Sequence, residues 1–242
     1  MAYTTINKST DYFNSVLYTG NGAAGGDSTT ISSLDFAPNL VWIKNRTTSG
    51  DATSSHALTD TVRGVTKTLS SNLNTAEATY SNALTNFSSN GFTVSDKQIV
   101  NGNGDSLVAW NWKANGAGSA NTDGDIASTV SASATSGFSI VKFTGTGANA
   151  NIGHGLGVAP KVIIQKGLDA SLNWKMYHSS LGAGAYINFD DTAGSASSTV
   201  TWNNTAPTNS LFYVGSGNNN NSSQDYIAYC FAEKQGYSKF GS

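Results

Sequence analysis

His56, His154 and His178 have the widest chemical repertoire in this chain, and each stands apart in SSHALTD, NIGHGLG and KMYHSS. An imidazole works as a general base beside a nucleophile and a carboxylate, or as a metal ligand with a second histidine three to five residues away. The sequence holds no His-x-x-x-His or His-Glu-x-x-His pair, so a metal site has no support and no metal or other cofactor is expected. Cys230, the one cysteine, sits in the apolar run YIAYCFA, far from the cationic or helix-start setting that activates a thiol. It reads as a buried structural thiol. No Gly-x-Ser-x-Gly elbow occurs, and GNGAAGG and NGNGD lack the Lys-Ser/Thr of a phosphate-binding loop. Glycoside cleavage needs two carboxylates converging on a cleft. Asp190 and Asp191 are adjacent, so on a strand they face opposite sides. Asp60, Glu77, Asp105 and Asp225 are scattered, with Asp105 and Asp225 at nearly equivalent places before the last strand of two similar halves, where a calcium ion or a backbone cap are the alternatives. No catalytic residue is nominated, and the chain reads as a non-enzyme.

The aromatics carry more. Trp42, Trp110 and Trp112 fall at apolar periodicity in strands and read as core. Trp174 and Trp202 have no tryptophan counterpart in the first half. A flat ring beside amides and hydroxyls suits a sugar, whose C–H face stacks while its hydroxyls take hydrogen bonds. The candidate ligand-binding residues are therefore Trp174, His178, Trp202 and Asn203.

Positioning these side chains falls to a β-rich chain of 242 residues with only 12% charged residues and a net charge of −2. Such a surface offers no field to a phosphate backbone, and nucleic acid is not an expected partner. The longest apolar runs are too short to span a bilayer, and MAYTTINKSTDYF lacks the layout of a signal peptide. The apolar period is two, with Gly, Asn and Ser clusters between short runs, the pattern of a β-sandwich or jelly roll.

The chain also echoes itself. Val16–Gly22 aligns with Val141–Gly147, Ala37–Lys44 with Ala159–Lys166, Asn90–Val94 with Ser210–Val214 and Ser106–Lys113 with Asp225–Ala232. The expected fold is all-β: two tandem homologous β-sandwich units of jelly-roll or lectin-like type, from an internal duplication. An N-terminal arm spans 1–10, the first repeat 11–113, a small polar linker 114–136 and the second repeat 137–235. Residues 236–242, GYSKFGS, resemble the opening of a third repeat: either the chain is the front of a longer array, or this strand covers a sheet edge.

VLYTGNG, APNLVWIKNR, NGFTV, VAWNWKA, IGHGLGVAPKVIIQK and YIAYCFAEKQGYSKFGS together resemble a repeated β-domain family found in structural proteins of tailed, often marine, bacteriophages. The resemblance implies a virion protein of the fibre or appendage type, made in the host bacterial cytoplasm and exposed on the particle surface, and it carries no catalytic residues. Host-surface glycan and other virion proteins, the latter through the N-terminal arm, are the partners to expect, with a homo-oligomer such as a trimer multiplying weak sites. The alternative is a capsid-surface decoration or tail-structural protein whose partners are other virion proteins; a polysaccharide-degrading enzyme ranks last for want of paired carboxylates.

Overall fold

Short runs with an apolar residue at every second position bury that side only by pairing into sheets and stacking the sheets. The computed structural model describes residues 4–22, 27–47 and 55–241, and the chain is all-β, its sheets antiparallel and β-sandwich-like. It divides into two units. The N-terminal unit takes in Lys8–Leu73 and Glu77–Ala117; the C-terminal unit takes in Met1–Asn7, Asn74–Ala76 and Gly118–Ser242.

The N-terminal unit opens with a 3-10 turn and β1 (Phe13–Thr19). It continues through β2 (Thr29–Ile31), β3 (Leu40–Asn45), β4 (Ala57–Asp60), β5 (Lys67–Ser70), β6 (Ala78–Thr79), β7 (Leu84–Ser88), β8 (Gly91–Val94), a helical turn α1 (Gln98–Asn101) and β9 (Ser106–Trp112). One sheet runs β1-β9-β3-β4-β5-β6 and a smaller one β2-β8-β7. Val41, Ile43, Leu107 and Ala109 from the larger sheet meet Ile31, Leu84, Phe92 and Val94 from the smaller in one core.

The C-terminal unit is built from β10 (Ser119–Asn121), β11 (Ser128–Ser133), β12 (Phe138–Thr144), β13 (Ala150–Gly153), β14 (Val162–Gly167), β15 (Lys175–His178), β16 (Ala185–Asn188), β17 (Ala196–Ser197), β18 (Leu211–Val214) and β19 (Asp225–Phe231). Its large sheet runs β10-β11-β12-β19-β14-β15-β16-β17, and β13 pairs with β18. Val141, Phe143, Tyr226, Ala228 and Ile163 pack against Ile152, Phe212 and Val214.

From β12 onward the C-terminal sheet repeats the order of the N-terminal one, and the registers agree. Phe13 and Leu40 both stand opposite Trp112, as Phe138 and Val162 both stand opposite Phe231. Backbone bonds match as well: Gly20 N–H to Asp105 and Gly145 N–H to Gln224, both at 2.8 Å. A Cβ on either glycine would run into a backbone carbonyl, that of Gly102 or of Asn221, so both close approaches demand glycine.

Three sequence expectations change. The stretch 114–136 is not a linker: it supplies β10 and β11, which extend the C-terminal sheet beyond β12. Val130 and Ala132 turn into the core from β11, a signal too sparse to read among serines. Residues 236–241 form no edge strand. Lys234 and Ser238 bridge across a tight turn, and Phe240 comes back against Phe231 with ring centroids 6.2 Å apart. In the segment read as an N-terminal arm, Ile6 is buried and a 3-10 turn over Ser9–Asp11 starts inside it, so its described residues, 4–10, are already part of the fold.

Candidate functional site

Trp174 and Trp202, nominated as stacking platforms, are 0% and 2% exposed, so neither offers a ring face to a ligand. Trp174 stacks on Tyr229 at 6.5 Å, and its backbone N–H donates to Asp190. Trp202 lies in the core, edge-on to Tyr177 at 6.0 Å. Tyr177 and His178 are neighbours on β15 and point to opposite faces of the sheet, so His178 does not join Trp202. The His178 Nδ1 accepts the Ser180 N–H at 3.2 Å. Asn203 and Asn204 have φ of +50° and +46°, and Thr205 N–H bonds the Trp202 carbonyl at 3.1 Å. That is a type I′ turn, a geometry asparagine tolerates better than other side chains. The four nominated residues are two core rings, a turn cap and a turn corner, and they do not converge.

The N-terminal tryptophans also differ from expectation. The core holds Leu107 and Ala109, so Trp110 and Trp112 lie on the other face of β9. There Trp42 packs on Trp110 at 5.9 Å and Trp112 on Phe13 at 4.9 Å. Both faces of these strands are apolar, which period-two reading alone does not rank.

The lone reactive groups are structural in their surroundings. Burial pushes the Cys230 thiol up to about 12, which leaves no thiolate near neutral pH. Burial also pulls the His154 imidazole down, and its Nδ1 accepts the Leu156 N–H while Nε2 faces the Thr208 carbonyl at 3.1 Å. Asp105 accepts from Asn45 Nδ2 at 2.7 Å inside the N-terminal unit. Register places Ser106, not Asp105, at the Asp225 position, since Ser106 pairs with Thr19 and Asp225 with Thr144. Among the described residues no group of three or more His, Cys, Asp or Glu is placed to hold a metal ion, and no helix is long and apolar enough to cross a membrane.

Lys166 is the exception among buried groups. It is 1% exposed on β14, and its ammonium donates to backbone carbonyls including that of Gly167 at 3.0 Å. Burial draws its pKa down to about 8 against the opposing pull of Asp190. A folded-state value below the unfolded 10.5 means the unfolded chain holds more protons between the two, so stability rises with pH across that window. Relative to Lys166→Met, the wild type is expected to gain on the order of 2–3 kcal/mol between pH 8 and 10.5. Urea unfolding of both proteins at stepped pH measures this, and a pH-independent difference between them refutes it.

One solvent-reaching group of fixed polar side chains lies on the large sheet of the C-terminal unit. Across β11, β12 and β19 of the C-terminal unit lies a shallow depression of about 290 Å³ lined by Ser128, Thr129, Lys142, Thr144 and Asp225. Lys142 Nζ is 3.0 Å from Asp225, both about one third exposed, and Thr144 Oγ1 donates to the same carboxylate at 2.7 Å. Burial pushes the Asp225 carboxyl up, but the Thr144 bond and the Lys142 charge outweigh it and hold it below its ordinary value. Asp225 N–H donates to Asp169 at 2.6 Å, which fixes the backbone that carries the carboxylate. Hydroxyls, an ammonium and a carboxylate held on one sheet face match the hydrogen bonding of a polyhydroxylated ligand, and no nucleophile–base pair accompanies them. In the N-terminal unit the matching positions are Leu17 and Ser106, so this group belongs to the C-terminal unit alone. Sequence reading took Asp225 as a cap or calcium ligand; the signal it missed was the pairing of Lys142 with Asp225 across neighbouring strands.

A family model described as a domain of unknown function (DUF7483) matches residues 8–242, and the chain belongs to that family. The match runs through both units. No curated protein and no solved structure matches the chain.

Proposed function

We propose that this chain is a non-enzymatic structural protein of a bacteriophage particle, of the fibre or appendage type, exposed on the virion surface and binding host-surface glycan. The observation that carries the binding half is the Lys142–Asp225–Thr144 depression, a shallow polar surface on a rigid sheet. The virion half rests on the motif resemblance, and the matching strand orders and registers support a tandem duplication of lectin-like or jelly-roll sandwiches. Weak sites of this kind gain from repetition on a particle.

The test is binding of labelled protein to candidate host cells, with soluble host glycan as competitor. Competable binding that falls at least tenfold in Lys142→Ala is the expected result. Lys142 is 37% exposed, and loss of its surface ion pair is expected to change stability by less than about 1 kcal/mol. Binding that glycan does not compete, or that Lys142→Ala leaves intact, defeats this reading. A second reading, a decoration or tail-structural protein held by other virion proteins, is favoured by the exposed apolar Leu17 on an edge strand.

A further inference from the structure

The two units treat one sheet edge differently. In the C-terminal unit β12 is flanked by β19 on one side and by β11 on the other. In the N-terminal unit β1 is flanked by β9 alone and ends the sheet; among the described residues no strand lies on its outer edge. The consequence shows in the burial. Ile140 and Val141 are 0% exposed, whereas their counterparts Ser15 and Val16 are exposed and half-buried, and Leu17, at the place of Lys142, is 66% exposed.

The backbone hydrogen bonds at the two ends of β1 fix which groups face outward. Gly20 N–H donates to Asp105 and Lys113 N–H to the Tyr12 carbonyl, so even-numbered residues of β1 bond to β9. The backbone groups of Phe13, Ser15, Leu17 and Thr19 therefore point away from the sheet. Protein edges are normally blunted by lysine, proline or an inward charge. The strand FNSVLYT has none of these; its one local device is the Asn14 side chain, which accepts the Ser15 N–H at 2.9 Å.

We propose that the outer edge of β1 is a self-association surface, where β1 of a second copy of this chain pairs antiparallel across a two-fold axis centred on Val16. The C-terminal unit supplies the template for such a pair. There Val130 of β11 stands opposite Val141, the counterpart of Val16, in a pair without mutual hydrogen bonds. On the outer face Ser131 stands opposite Ile140 and Ser133 opposite Phe138, a hydroxyl against each apolar side chain. Pairing β1 with its own copy reproduces this chemistry. Val16 meets the second copy's Val16, Leu17 meets Ser15 and Phe13 meets Thr19, with all outward backbone groups in bonded pairs. Both smaller sheets then lie on the same side of one continuous sheet, and the exposed Leu17 is covered. The proposal does not depend on what the C-terminal depression binds.

Sedimentation of the full chain over a range of concentrations is the test, with three variants. The wild type is expected to form a dimer. Leu17→Lys, at an exposed position, is expected to stay monomeric with unchanged circular dichroism and a melting temperature that no longer depends on protein concentration. Val16→Cys is expected to cross-link to its own copy under mild oxidation, because the facing Cα atoms of such a pair lie about 4.5 Å apart. Thr19→Cys, opposite Phe13 of the second copy, is expected not to. Native Cys230 is 0% exposed and does not interfere. A monomeric wild type, a trimer or larger closed ring, a dimer that survives Leu17→Lys, or a Val16→Cys dimer that fails to cross-link each overturns the proposal.

Discussion

Arg63→Ala is expected to remove about 3–5 kcal/mol of stability, the largest loss from any single substitution in the N-terminal unit. The side chain is 1% exposed and every arm of its guanidinium is used. Nε donates to Asp60 Oδ2 at 2.6 Å, Nη1 to Glu77 at 2.9 Å and to the Lys67 carbonyl at 3.3 Å, and Nη2 to the Leu58 carbonyl at 3.0 Å. Asp60, 0% exposed, also accepts the Val62 and Arg63 backbone N–H groups through Oδ1. The cluster ties β4, β5 and the segment bearing Glu77 to one cation. Removing the cation leaves a buried carboxylate without its charge partner, and an unpaired buried charge costs more than the intact pair is worth. Against a typical stability of about 5–15 kcal/mol, such a loss moves the urea midpoint visibly. Arg63→Lys is expected to recover little, since one ammonium cannot reproduce the fork. Removing both charges as Asp60→Asn with Arg63→Met is expected to cost less than Arg63→Ala alone. A midpoint for Arg63→Ala within experimental error of the wild type would sink the argument.

The same place in the C-terminal unit explains a residue the sequence nominated for binding. Asp60 stands opposite Leu40 and His178 opposite Val162, so the two are counterparts by register. Gly64 N–H bonds the Asp60 carbonyl and Gly182 N–H the His178 carbonyl, and each residue's side chain also accepts a backbone N–H two residues on. His178 is therefore the turn cap that Asp60 is, without the arginine. Nothing in KMYHSS announces this, because the role is visible only once the strands are in register.

Much of the architecture was legible. The runs VLYT, LVWIK, LVAWNW and their later echoes are strands, and the aligned segments occupy matching registers. What failed shares one cause: the deciding partner is distant in sequence. STVSAS carries only Val130 and Ala132 as inward apolar residues, and it becomes a strand because β12 offers it an edge. Asp60 and Glu77 looked scattered because the cation that joins them, Arg63, was not read as their shared partner. Trp110 and Trp112 sit on β9, whose two faces are both apolar, so periodicity found the strand and could not say which face is the core. Trp174 and Trp202 were read for their polar neighbours in sequence, but exposure is set by what packs over the ring.

Asn220→Ala is the second large expected effect, about 2–4 kcal/mol, and it carries a control inside the same molecule. Asn220 is 0% exposed. Its Oδ1 accepts the Thr146 N–H at 3.0 Å, and its Nδ2 donates to the carbonyls of Ala148 at 2.5 Å and Gly215 at 3.1 Å. Truncation strands the buried Gly215 carbonyl and removes the brace on the Thr146 N–H and the Ala148 carbonyl, which lie on exposed residues, and a buried unsatisfied group costs about 1–3 kcal/mol before any relaxation. Asn101 plays the matching part in the N-terminal unit. It too is 0% exposed, its Oδ1 accepts the Asn21 N–H at 3.1 Å, and its own backbone carbonyl accepts Gly22 N–H as that of Asn220 accepts Gly147 N–H. Its remaining partners are side chains, Thr29 and Asn21, which can turn toward water when the amide is lost. Asn101→Ala is therefore expected to cost less, about 1–2 kcal/mol, at a site of the same geometry. The double variant is expected to lose the sum, because the two amides share no hydrogen-bond partner. Chemical denaturation of the three variants reads this directly. Equal losses at the two sites would show that the side-chain amide braces its loop through the shared backbone contact alone, and the ranking by stranded carbonyls would be wrong.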